Sequence, residues 1–137
     1  MTKEIWRENW LNSINELTDL NVQKQSWLNE KLKSPHWSFT EFMCSYFDDL
    51  FGDFNYEHYV SENWITENEY LIIKDWHNKL DKYESPNENE WADNLILNDE
   101  KWLNILEIGE VAKRNLSKIL NENEKLILKK NLINEIE

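Results

Sequence analysis

Apolar residues recur along this chain at steps of three and four, the spacing of one face of an α-helix. Trp6, Trp10, Ile14 and Leu17 mark a first helix. Trp27, Leu28 and Leu32 mark a second, which ends before Ser34-Pro35 because proline disfavours helical geometry in the residue before it. Phe39, Phe42, Met43, Tyr46, Phe47, Leu50 and Phe51 form the widest stripe, on a third helix. Ser38 and Glu41 are spaced as a capping box, Trp37 and Phe42 as a hydrophobic staple, and Gly52 stands where a left-handed C-terminal residue is expected.

A second capping box, Thr66 with Glu69, opens a helix that carries Ile73, Trp76, Leu80 and Tyr83 on one face. Ser85-Pro86 closes that helix and fits the start of a short one, with proline at its favoured first position. Asn98-Asp99 starts another, bearing Trp102, Leu103, Leu106, Ala112, Leu116, Ile119 and Leu120, with Gly109 as a point of bending or close approach. Leu126, Leu132, Ile133 and Ile136 mark the last. Residues 53–64 and 85–98 follow neither period and read as irregular connections or short helices. Only two Gly and two Pro occur, far too few for the turns of an all-β fold. The expected fold is all-α, a single-domain array or bundle of about five to seven helices over residues 1–137.

Charge changes the picture from fold to partner. Residues 34–73 contain no Lys or Arg but eight carboxylates. Residues 1–33 are neutral, residues 34–100 carry net −13, and residues 101–137 carry +1. A neutral frame around a negative centre makes a directed field, which favours encounter with a cationic partner. It also disfavours direct binding to nucleic acid. The 19 Asn residues fit an AT-rich coding sequence, in which part of the acidity is ordinary surface composition.

Asp48 and Asp49 end the third helix, where the helix dipole disfavours carboxylates. Asp53 follows, either as part of the same surface or as an N-cap. Tyr56, Glu57 and Tyr59 add large contact groups of the kind found at interface hot spots. Asp48, Asp49, Asp53, Tyr56, Glu57 and Tyr59 are therefore the candidate partner-binding residues.

Other chemistry is not spelled out. No His-Glu-x-x-His or Glu-x-x-His spacing occurs, and neither a Gly-rich phosphate loop nor a nucleophile elbow is present. No metal, cofactor or catalytic residue is expected. His58 with nearby acids is the one metal arrangement to weigh, and an exposed His among acids is the plainer reading. The one cysteine, Cys44, lies beside the aromatic stripe and reads as a buried, inert thiol. Trp64 and Trp91 lie in poorly periodic acidic segments and are expected to be exposed. The N-terminal stretch MTKEIWRENW lacks an apolar signal core, and no run approaches a membrane span. A cytoplasmic, non-enzymatic protein is expected.

The function these features favour is an acidic inhibitor that binds a basic protein, on the plan of a bacterial immunity protein against a toxin such as a nuclease. Three alternatives compete. A nucleic-acid mimic acting against restriction or defence proteins would space its carboxylates like phosphates. A small-molecule binder or enzyme would line a deep pocket with aromatic groups. An assembly subunit would use its aromatic surface for self-association.

Overall fold

The computed structural model describes residues 1–28, 38–86 and 93–130. Every regular element among them is helical: α1 (Lys3–Thr18), α2 (Leu20–Leu28), α3 (Phe39–Phe51), α4 (Tyr56–Ser61), α5 (Glu67–Lys82), α6 (Asp93–Leu97), α7 (Glu100–Ser117) and α8 (Glu122–Leu128). The all-α expectation holds. Eight helices among the described residues exceed the expected five to seven; α4 and α6 fall in residues 53–64 and 85–98, which read as irregular connections or short helices. Neither is long enough to display a full apolar stripe.

The caps of α5 and α7 are those the sequence spells, whereas that of α3 is half formed, its Ser38 hydroxyl having no hydrogen-bond partner among the described residues. Thr2, Asn55, Thr66, Asp99 and Asn121 each accept a backbone N–H in the first turn of their helix. At the start of α3 the Glu41 carboxylate accepts from the Ser38 backbone N–H at 3.2 Å. At α5, Thr66 and Glu69 bond reciprocally at 2.8 and 3.1 Å. Trp37, the staple partner, lies outside the described residues, as do Leu32, the Ser34-Pro35 boundary, Trp91 and Leu132–Ile136. Gly52 departs from expectation. Its φ of −62° is right-handed, and a Cβ there would run into the Asp48 carbonyl oxygen, so close approach rather than handedness calls for glycine.

α1 is the central helix, packing on α2, α3, α7 and α8, while α5 lies along α7. Trp6, Trp10, Ile14 and Leu17 are all buried, as the periodicity predicts. One apolar cluster runs through all eight helices. Aromatic rings dominate it. At one end Trp27, Phe39, Phe42, Tyr83 and Trp102 meet mostly edge to face. At the other, Trp6 stacks on Tyr59 at 4.4 Å and meets Phe51 and Trp64 at their edges. Trp64 is thus half-buried rather than exposed.

Buried polar groups tie the helices together. Gln23, fully buried, accepts the Trp102 indole N–H at 3.0 Å and donates to the Glu16 carbonyl at 3.0 Å. Asn15 donates to the Lys130 carbonyl and accepts from the Lys113 ammonium at 2.6 Å, holding α7 and the end of α8 against α1. Cys44 corrects an expectation: it is exposed. It lies two residues, about 200° of helical turn, from both Phe42 and Tyr46, and these two face the core. No helix among the described residues is long and apolar enough to cross a membrane.

Candidate functional site

The end of α3, the connection to α4 and the last turns of α5 enclose an open hollow of about 460 Å³. Phe47, Asp48 and Phe51 reach it from α3, Asp53 and Phe54 from the connection, and His77 and Asp81 from α5. The α3 pattern explains its wall. Phe47 and Phe51 stand one helical turn apart at the edge of the buried stripe, with Asp48 next to Phe47 on the solvent side. No Lys or Arg lines the hollow. Among the described residues, no ion pair or hydrogen bond engages the carboxylates of Asp48, Asp53 or Asp81. Phe54 is 49 % exposed and stacks on the His58 ring at 3.8 Å.

Behind this wall runs a buried chain of polar groups. The Trp10 indole N–H donates to the Tyr56 hydroxyl at 2.7 Å. The Tyr56 and Tyr46 hydroxyls are 2.6 Å apart, and Tyr46 is 2.8 Å from His77 Nδ1. Burial pushes both phenols well above the ordinary tyrosine value, so each keeps its proton. His77 is pulled below its ordinary value by burial, against the opposing pull of Asp81 and Glu57.

The six residues singled out from sequence divide. Asp48 and Asp53 line the hollow together. Asp49 points to the other side of α3, into a hollow of about 420 Å³ shared with Ser13, Glu16 and Ser45. Glu57 is exposed and accepts the Tyr70 hydroxyl at 2.7 Å, which holds its carboxyl below the usual range. Tyr56 is no surface anchor: it is 2 % exposed and committed to Trp10 and Tyr46. Tyr59 is half-buried, and its hydroxyl donates to the Leu50 carbonyl at 3.0 Å beside the Trp6 indole N–H at 3.2 Å. These two donors satisfy a carbonyl that the C-terminus of α3 leaves without a helical partner. The capping role open to Asp53 is taken by Asn55, which accepts the His58 N–H at 3.0 Å.

Sequence reasoning missed Phe47, Phe51, Phe54, His77 and Asp81. His77 and Asp81 are four residues apart, on one face of α5 next to the stripe residues Trp76 and Leu80, and that spacing was the available signal. Among the described residues no group of three His, Cys, Asp or Glu is placed to hold a metal ion. A larger hollow, about 750 Å³, lies over Arg7, but that guanidinium is already bonded to Glu69, Glu124 and the Trp64 carbonyl. No protein-family model, curated protein or solved structure matches the chain.

Proposed function

We propose that this chain is a protein-binding inhibitor that seats a basic partner on the hollow between α3, the connection that follows it and α5, as an immunity protein neutralises a basic toxin such as a nuclease. The observation that carries this reading is the convergence of Asp48, Asp53 and Asp81 on three phenylalanine rings, with no cation on the same wall. Carboxylates so placed stand in for substrate phosphates and draw Lys and Arg side chains out of a basic active site. The C-terminal end of the α3 dipole adds to the negative potential. Phe47, Phe51 and Phe54 offer apolar area that a docked partner desolvates. The net −13 of residues 34–100 steers its approach. On this reading the chain is not an enzyme and acts in the cytoplasm. It behaves as one domain over residues 1–137, in keeping with the apolar cluster that joins the eight helices.

The test is retention and release. The purified chain is immobilised, source-cell lysate is applied at low salt, and bound protein is eluted by rising salt and identified. One basic protein is expected, held stoichiometrically, inhibited when bound, and lost when Asp48, Asp53 and Asp81 are reversed to Lys. Equal retention by the charge-reversed chain overturns the reading.

A further inference from the structure

The polar chain behind the hollow has a direction. An indole N–H only donates, so the Tyr56 oxygen accepts from Trp10. Tyr56 then donates a hydrogen bond to the Tyr46 oxygen, and the Tyr46 hydroxyl donates one to His77 Nδ1. Run the other way, the chain leaves the Tyr56 proton without an acceptor inside the core, which is costly. His77 Nδ1 is therefore an acceptor. The imidazole is neutral with its proton on Nε2, and it forms part of the wall of the hollow.

We propose that His77 makes the acidic hollow pH-responsive: neutral, it leaves Asp48, Asp53 and Asp81 unopposed, and protonated, it breaks the bond from Tyr46 and sets a cation among them. The consequence for binding rests on the docking reading above; the hydrogen-bond direction does not. Tyr46 from α3 and Tyr56 from α4 touch His77, Asp81 from its own helix and Glu57 from α4 act on its charge, and Asp48 from α3 and Asp53 from the connection share the wall of the hollow with it. Lys74, one turn earlier on α5, acts on Glu57. The carboxylates favour the imidazolium, whereas burial and the Tyr46 hydroxyl favour the neutral ring. A partner's Lys or Arg in the hollow would tip the balance further to neutral. Proton and cationic partner then oppose each other, and by linkage each weakens the other equally.

The full chain, labelled with nitrogen-15, is titrated from pH 8 to 4.5 while the imidazole nitrogens are followed by NMR, with His77→Gln used for assignment. His77 is expected as the Nε2–H tautomer, with a midpoint below 6.5. Tyr46→Phe is expected to raise that midpoint and erase the tautomer preference. An Nδ1–H tautomer, or a midpoint that Tyr46→Phe leaves unmoved, overturns the proposal. A nine-residue oligoarginine peptide then serves as the cationic probe at pH 7.5 and 5.0. Its affinity is expected to fall by roughly fivefold more in the unmodified chain than in His77→Gln. An equal fall in both overturns the coupling. No binding at either pH, alongside the expected tautomer, overturns the docking reading and the coupling with it, while a wrong tautomer counts against His77 alone.

Discussion

Arg7 on α1 holds Glu69 on α5 through two parallel hydrogen bonds, 2.9 and 2.7 Å long, across 62 residues of chain. The same guanidinium bonds Glu124 of α8 at 2.7 Å and the Trp64 carbonyl at 2.7 Å. The paired side chains are only 13 % and 5 % exposed. Burial alone would raise the Glu69 carboxyl, but the bonds from Arg7 and from the Thr66 N–H outweigh it and hold it below its ordinary value. Removing one member of such a pair strands the other. Arg7→Ala is expected to destabilise the fold by about 3–5 kcal/mol in urea denaturation. A loss below about 1 kcal/mol would mark the pair as surface decoration.

Gly109 sits inside α7, where helix propensity alone says that alanine should stabilise by about 1 kcal/mol. The packing says the opposite. A Cβ at Gly109 would lie 2.6 Å from Thr18 Cγ2 and 2.7 Å from Trp76 Nε1, both in the buried core. Gly109→Ala is expected to destabilise by about 1–3 kcal/mol, and adding Thr18→Ser to recover part of that. A higher melting temperature for Gly109→Ala would show that α5 and α7 are not packed this closely.

The helices were legible because local rules set them. The stripes of α1, α3, α5 and α7, together with the Thr66–Glu69 box, follow from spacing alone. The site was half legible. Asp48 and Asp53 stood out as uncompensated charge, and that is a property of composition. Tyr56 and Tyr59 share the same acidic, aromatic segment, yet their hydroxyls turn inward to Tyr46, Trp10 and the Leu50 carbonyl. Those acceptors and donors arrive from α1 and α3, and no local pattern announces them. His77 and Asp81 were overlooked for the complementary reason: they lie beyond the segment without cations, and only packing of α5 against α3 brings them to Asp48.

Glu16, half-buried on α1 next to the hollow that Asp49 lines, carries a carboxyl that burial pushes up to about 7 from 4.5. The folded value is the higher one. Its contribution therefore favours the fold fully below pH 4.5 and is lost as pH rises through about 7. Above that the folded chain holds a poorly solvated charge, and Gln23 bonds the backbone carbonyl of Glu16, not its carboxylate. Glu16→Gln is expected to stabilise the chain at pH 8 by up to about 3 kcal/mol and to change little at pH 4.5. Urea denaturation at both pH values measures this, and an equal effect at each would show that the carboxyl is not desolvated.

Asp48 and Asp49 separate stability from function. Both are exposed in the last turn of α3, and neither is engaged by an ion pair or hydrogen bond among the described residues. At that end the helix dipole opposes negative charge and favours positive charge, by about 0.3–1 kcal/mol per group. Reversing both to Lys is therefore expected to leave the helical circular dichroism intact and to hold or raise the melting temperature. Under the docking reading the same double variant slows association with the partner strongly and flattens its salt dependence, because steering acts on the on-rate. A chain that melts higher and binds more slowly shows that these acids are kept at a cost to the fold and serve the surface. If the variant melts several degrees lower, they hold structure instead, and the case for the α3 corner as a docking site fails.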